Sequence, residues 1–157
     1  MSNPVEKEKD VIFMAEALAE ASKAASMGEV PVGAVITRGG KIISRGYNKK
    51  ETSADPTLHG EIVAVTEAAR LLDAWRLTGT TLYVTLEPCL MCMGALLQAR
   101  VPRLVFGAAD PKAGACGSLF DLSNDKRLNH SINVRRGVCE TESRDMLQGF
   151  FKQLRNK

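Results

Sequence analysis

Two short stretches hold the side chains best suited to chemistry. "LHGEIV" carries His59 and Glu61, and "LEPCLMC" carries Cys89 and Cys92. Cysteines three apart share one face of a helix. Unpaired N–H groups at a helix start lower thiol pKa and favour thiolate. Pro88 suits the first helical position, where its missing N–H is not needed. Cys89 is therefore expected in the first turn and Cys92 just after it. His59, Cys89 and Cys92 as zinc ligands would leave one tetrahedral position for water, the form of a catalytic site. Zinc brings the pKa of water down to roughly 7. Glu61, outside the ligand set, would carry protons as a general acid–base.

Residues two apart do not face each other along a regular helix. His59 and Glu61 can meet only where the helix end points at the shared target. With Thr57 as the cap, His59 falls in the first turn and Glu61 opens the second.

Other readings of the same residues stand beside this one. Cys89 and Cys92 could form a redox pair, which leaves His59 and Glu61 without a task. Cys116 or Cys139 could close a structural zinc site, though neither has a zinc-knuckle spacing; both read better as core or partly exposed thiols. His130 reads first as a hydrogen-bonded structural residue, with substrate contact as the alternative. Phe150 and Phe151 read first as core, with base stacking by one of them as the alternative. Lys152, Arg155 and Lys157 form a small basic end that is usually a solvated face.

The elements that must position these groups are legible by period. A helix is expected from Asp10 to Met27, with Val11, Met14, Leu18 and Ala25 inward and Gly28 as the stop. "VGAVIT" and "IISRG", joined across Gly39-Gly40, read as a hairpin. A polar loop runs from Tyr47 to Asp55. A helix is expected from Thr57 to Leu72, with Ile62, Val65, Ala69 and Leu72 on one side. "TTLYVTL" is a strand with Leu82, Val84 and Leu86 on one face. A helix from Pro88 to Arg100 and the strand "RLVFGA" follow. That strand–helix–strand order makes the two strands parallel. After the Gly-rich loop Asp110 to Gly117, "INVRRGV" is the last strand expected. Thr141 to Arg155 is an amphipathic helix with Met146, Leu147, Phe150, Phe151 and Leu154 inward. Residues 119 to 132 give no clear pattern.

The bulk numbers set limits. A chain of 157 residues suits one domain, 1–157, and can bury a core without disulfide staples. The net charge of +3 permits a polyanion partner without arguing for one. "MSNPVEKEKD" lacks the apolar core of a signal peptide, no apolar run has the length of a membrane span, and four cysteines are too few for a disulfide scaffold. The expected compartment is the cytoplasm.

The chain as a whole is recognisable. "EVPVGAVI", "LHGE", "TLYVTLEPCLMCMGA", "LVFGAADPKAGACGS" and "FFKQLR" closely resemble the bacterial tRNA-specific adenosine deaminases (the TadA group), within the cytidine-deaminase-like superfamily. His-x-Glu followed by Pro-Cys-x-x-Cys is a known signature of zinc nucleobase deaminases, this group among them. The resemblance implies a three-layer α/β/α fold with a five-stranded mixed sheet, acting as a homodimer. It implies conversion of adenosine to inosine at the wobble position of a tRNA anticodon, with one zinc ion and no nucleotide cofactor. By motif position, His59, Cys89 and Cys92 would hold zinc and Glu61 would shuttle protons. Asn48 would hydrogen-bond the flipped base, and Val30 and Pro88 would wall its pocket. Asp110, Lys112, Arg76, Phe151 and Arg155 fall where the group touches the anticodon loop. The chain departs from the group in Gly60, where alanine is usual, in Leu58 and Met93, where smaller residues are common, and in Ala109, often charged. The rivals are a free guanine or cytosine deaminase of the same fold and a catalytically silent zinc-stabilised RNA-binding module.

Overall fold

The computed structural model describes residues 3–157; the first two residues of "MSNPVEKEKD" fall outside it. The order is α1 (Pro4–Ser26), β1 (Gly33–Arg38), β2 (Lys41–Tyr47), α2 (Gly60–Leu72), β3 (Thr80–Leu86), α3 (Leu90–Gln98), β4 (Arg103–Ala108), β5 (Asn133–Arg136) and α4 (Glu140–Arg155). One five-stranded sheet runs β2-β1-β3-β4-β5. β1 pairs antiparallel with β2 and β3, whereas β3–β4 and β4–β5 are parallel. This is the mixed sheet expected. Gly39 and Gly40, both at positive φ, make the tight hairpin turn between β1 and β2.

Side-chain alternation divides the sheet between two cores. Ala34, Ile36, Leu82, Val84, Leu104 and Phe106 pack with Ala64 and Ala68 of α2 and with Met93 and Leu96 of α3. Val35, Tyr83 and Val105 pack on Met14 and Ala17 of α1. Helices thus cover both faces, the three-layer arrangement. α4 packs on β4 and β3, with Ser143 seated against Gly107.

α1 departs from expectation twice. It begins at Pro4, not Asp10: Asn3 caps it by accepting the Glu6 N–H at 2.8 Å, and Pro4 occupies the first turn. Its inward face is Asp10, Met14, Ala17, Glu20, Ala21 and Ala24, while Val11 is exposed. The reason is close approach. A Cβ on Gly33 would overlap the backbone at Ala17 and Ala21, so α1 lies almost directly on β1 and only small side chains fit between. Gly46 does the same for α2, where a Cβ would overlap the Gly60 carbonyl. The buried row there is Ala64 and Ala68, with Val65, Ala69 and Leu72 at its edge.

Asp10 anchors α1 chemically. Its carboxylate accepts from Tyr83 Oη at 2.7 Å, from Arg103 at 2.9 and 2.7 Å, and from Arg135 at 2.6 Å. One buried carboxylate therefore ties α1 to β3, β4 and β5.

Residues 119–132 form irregular turns held by local bonds: Asp121 Oδ1 accepts from the Ser123 N–H and Oγ–H, and His130 Nε2 donates to the Val101 carbonyl at 2.9 Å. β5 is shorter than "INVRRGV". Among the described residues no helix is long and apolar enough to cross a membrane.

Candidate active site

Two helix starts meet beside the end of β3. His59 is the N-cap of α2 in extended backbone, and Cys89 is the N-cap of α3. Each ligand candidate thus sits one step earlier than the sequence suggested. Thr57 is not the cap: its N–H and hydroxyl bond Asp55 Oδ1 instead, at 2.8 and 2.7 Å. Glu61 accordingly lies in the first turn of α2 and not the second. Pro88 precedes the cap of α3, where it holds Glu87 in extended geometry. The extended backbone at both caps lets His59 and Cys89 reach past their helix starts, and the side chains of Cys92 and Glu61, in the first turns, tilt toward the same ends.

The result is one cluster. The ligating atoms of His59, Cys89 and Cys92 all lie within 4.8 Å of one another. His59 Nδ1 is 3.6 Å from Cys89 Sγ and 3.5 Å from Cys92 Sγ. Zinc–nitrogen bonds of about 2.0–2.1 Å and zinc–sulfur bonds of about 2.3 Å, at tetrahedral angles, require a separation of about 3.6 Å. The donor set therefore fits zinc in chemistry and in spacing. Cys116 is buried and Cys139 half-buried, and neither joins the cluster.

The ionisable groups of the cluster act on one another. Hydrogen bonding with Cys92, reinforced by His59, holds the Cys89 thiol far below its usual range at about 3, whereas Cys92 is pushed up chiefly by its bond to Cys89 and by burial. His59 is raised by its hydrogen bond to Cys89. Burial raises the Glu61 carboxyl. Glu61 is 3% exposed and its Oε1 has no hydrogen-bond partner. A buried carboxyl with an unpaired oxygen is costly unless a ligand or water supplies the partner.

Outside the cluster lies a cleft of about 360 Å³, lined by Glu29, Val30, Asn48, Lys50, His59 and Phe151 among others. Asn48 Oδ1 accepts the Gly60 N–H at 2.8 Å, which fixes its amide and turns the NH₂ away from that bond. Val30 lines the cleft; Pro88 is buried and does not. A larger groove of about 1060 Å³ runs alongside, lined by Ala109, Lys112, Arg144, Phe151, Lys152 and Arg155 among others. Phe151 and Leu154 line both spaces. They are 41% and 53% exposed, so the far end of α4 is not the core face its pattern suggested. Phe150 is half-buried and meets Phe151 edge-on at 5.5 Å.

Two other expected residues sit differently. Asp110 Oδ1 is taken up by the Lys112 and Ala113 N–H groups at 3.1 and 3.2 Å. Arg76 lies beyond the far end of α2 from His59, over the Trp75 ring at 4.7 Å. The chain's own fold does not bring it to the cleft.

Two buried carboxylates escape a reading of the sequence alone. Glu29 accepts the Glu51 and Thr52 N–H groups at 3.0 and 2.6 Å and so holds the loop between Asn48 and His59. Glu87 does likewise for the loop after β4. The available signal was an acid placed directly before "VP" or "PC" within apolar surroundings.

This sheet, with an imidazole, two thiols and a buried carboxyl meeting at two helix starts, is deaminase architecture, and the chain belongs to the MafB19-like deaminase family, whose model matches residues 8–155. Within that class it stands with the tRNA-specific adenosine deaminases. It is 48% identical to the tRNA-specific adenosine deaminase of Bacillus subtilis (strain 168) over 149 residues, covering 95% of this chain and 92% of that protein. It is also 48% identical over 159 residues to a chloroplastic tRNA(adenine(34)) deaminase of Arabidopsis thaliana, covering 91% of this chain and 12% of that one. A solved structure from work on A-to-I editing by tRNA:A34 deaminases at the wobble position superposes with a TM-score of 0.84 at 42% identity, over 87% of this chain and 99% of that one. A guanine deaminase from Nitrosomonas europaea shares the fold at 21% identity, with a TM-score of 0.76 over 96% of this chain and 85% of that one.

Proposed function

We propose that this chain hydrolytically deaminates adenosine to inosine at the wobble position of a tRNA anticodon, with His59, Cys89 and Cys92 holding zinc and Glu61 carrying protons. The observation that carries the mechanism is the buried Glu61 carboxyl, with one oxygen unpaired, beside a donor set spaced for zinc. Zinc bound there supplies Lewis acidity and a means of making hydroxide from water near neutral pH. The rest falls to the chain. Burial raises the Glu61 pKa and so strengthens its carboxylate as a base: it would take one proton from the attacking water and pass it to a ring nitrogen, then take the second from the resulting hydroxyl and deliver it to the departing amine. The amide NH₂ of Asn48 donates to the base, and Val30 walls it.

An adenine inside a stack cannot present its C6, whereas an anticodon loop offers unpaired bases. The groove beside the cleft supports a polymeric substrate. Phe151 offers a stacking surface shared by both spaces, and Lys112, Arg144, Lys152 and Arg155 offer cations for phosphates. Exposed apolar side chains, among them Leu71, Trp75, Leu90, Leu119 and Phe120, support a homodimer. In a dimer, Arg76 would serve the partner's RNA. The working compartment is the cytoplasm, and the unit is a single domain.

The test offers an anticodon stem-loop, free adenine, guanine and cytosine in parallel, scored for ammonia and inosine. Inosine in the stem-loop alone is the expected result. Ammonia from guanine or cytosine would move the assignment to a free-base deaminase. RNA binding without ammonia from any substrate would move it to a silent binding module.

A further inference from the structure

Glu87 is 3% exposed, and the reaction outlined above gives it no step. Its carboxylate accepts four hydrogen bonds, all from one loop. The Asp110 N–H, at 3.0 Å, and the Ser118 hydroxyl donate to Oε1; the Cys116 and Ser118 N–H groups donate to Oε2, both at 3.0 Å. A Cβ on Gly114 would overlap that carboxyl, so the loop rests on it with no space between. The same loop is joined to the cluster segment by the Ala115 N–H donating to the Pro88 carbonyl at 2.8 Å and by a bridge between Gly114 and Cys89. The bonds from Asp110 on one side and from Cys116 and Ser118 on the other bracket Lys112, which lines the large groove. Asp110 in turn holds the Lys112 N–H. No core helix or strand takes a bond from this carboxylate among the described residues; its partners are loop groups alone.

We propose that Glu87 is a positioning residue: it fixes the Asp110–Lys112 turn, and with it the Lys112 ammonium at the RNA groove, relative to the Pro88–Cys89 segment that carries one thiol of the donor cluster. This rests on the reading of that groove as an RNA site. The turn and the thiol-bearing segment then move as one body, so the target base and the flanking phosphate are gripped at a set separation.

Glu87→Gln tests this selectively. The glutamine NH₂ cannot accept, and the Ser118 hydroxyl can rotate to accept from it, whereas the Asp110 N–H cannot. The variant therefore keeps the Cys116 and Ser118 N–H bonds and gives up the bond to Asp110. Expected is a KM for anticodon stem-loop raised roughly three- to tenfold, the scale of one hydrogen bond, with kcat within about twofold. Lys112→Ala should raise KM in the wild-type background and add almost nothing in the Glu87→Gln background, because both act through one contact. Ser118→Ala, which spares the Asp110 bond, should leave KM unchanged. An unchanged KM in Glu87→Gln, or full additivity with Lys112→Ala, would reduce Glu87 to a fold-stabilising residue. Should Glu87→Gln melt below assay temperature, amide exchange of the wild-type chain decides: Asp110, Cys116 and Ser118 should exchange slowly as a group, and fast exchange at Asp110 overturns the proposal. A wild-type chain that forms no inosine would instead sink the RNA reading, and this inference with it.

Discussion

Asn48 Oδ1 accepts the Gly60 N–H at 2.8 Å, so the residue proposed to bind the base is bonded to the helix start that follows His59 and carries Glu61. In the proposed roles, this bond ties the base-binding side chain to the helix start that carries the proton carrier. Asn48→Asp keeps the oxygen for Gly60 and loses the amide donor. It should melt close to wild type while kcat/KM on stem-loop falls by about tenfold or more. Asn48→Ala loses both and should also lose about 1 kcal/mol of stability, as for a missing helix cap. Wild-type kcat/KM in Asn48→Asp would remove Asn48 from base recognition.

Asp10 makes stability fall in acid. Burial acts to raise its pKa, but the hydrogen bonds from Arg103, Tyr83 and Arg135 outweigh burial and hold it below the ordinary carboxylate value. A depressed folded pKa means stability that is fully present above the unfolded value of about 3.9 and lost as pH falls through the folded one. Asp10→Asn should cost about 3 kcal/mol at pH 7, because two arginines lose their buried partner. The gap to wild type should narrow in urea melts below about pH 4. A gap constant from pH 7 to pH 2.5 would show that the charge of Asp10 is not what ties α1 to the sheet.

Gly60 and Gly114 should answer alanine differently. A Cβ on Gly60 would lie 3.2–3.4 Å from the Val32 carbonyl, Tyr47 Cα and the Gly46 carbonyl, a tight fit that a few tenths of an ångström relieve. Helix propensity acts in the other direction, by up to about 1 kcal/mol. Gly60→Ala should therefore change stability by less than about 1 kcal/mol, and it restores the residue usual in the group. Gly114→Ala collides with the Glu87 carboxyl and should lower the melting temperature and raise KM together. Thermal melts of the two variants side by side check this; equal melting temperatures would contradict the close approach at Gly114.

Lys112 and Arg155 sit in one groove, so stem-loop binding should weaken with salt. Removing both cations should flatten the dependence of log Kd on log salt by roughly 1.4, about 0.7 for each single-strand phosphate left without its cation. Binding measured from low to moderate salt reads this directly, and an unchanged slope would place the RNA elsewhere.

Much of this candidate site was legible because its residues carry type and spacing: two cysteines at helical separation, a histidine and a glutamate before an apolar run. The hairpin was legible from Gly39-Gly40 and the parallel crossover from element order. Three features were hidden. Alanine faces such as Ala17, Ala21 and Ala24 are set by backbone approach at Gly33, which periodicity cannot register. Thr57 resembled a cap more than His59 did, since the real cap makes no side-chain bond to its helix. Glu29 and Glu87 bond loop N–H groups, which every residue but proline possesses, so no residue pairing gave them away.

The most direct test pairs metal content with turnover on one preparation of wild type and Glu61→Gln. Expected are about one zinc per chain in both, inosine formation by wild type, and a rate lowered by roughly 10²–10⁴ in the variant. A zinc-free wild type that edits at full rate, or a zinc-loaded Glu61→Gln that matches wild type, would contradict the assignment of these four residues.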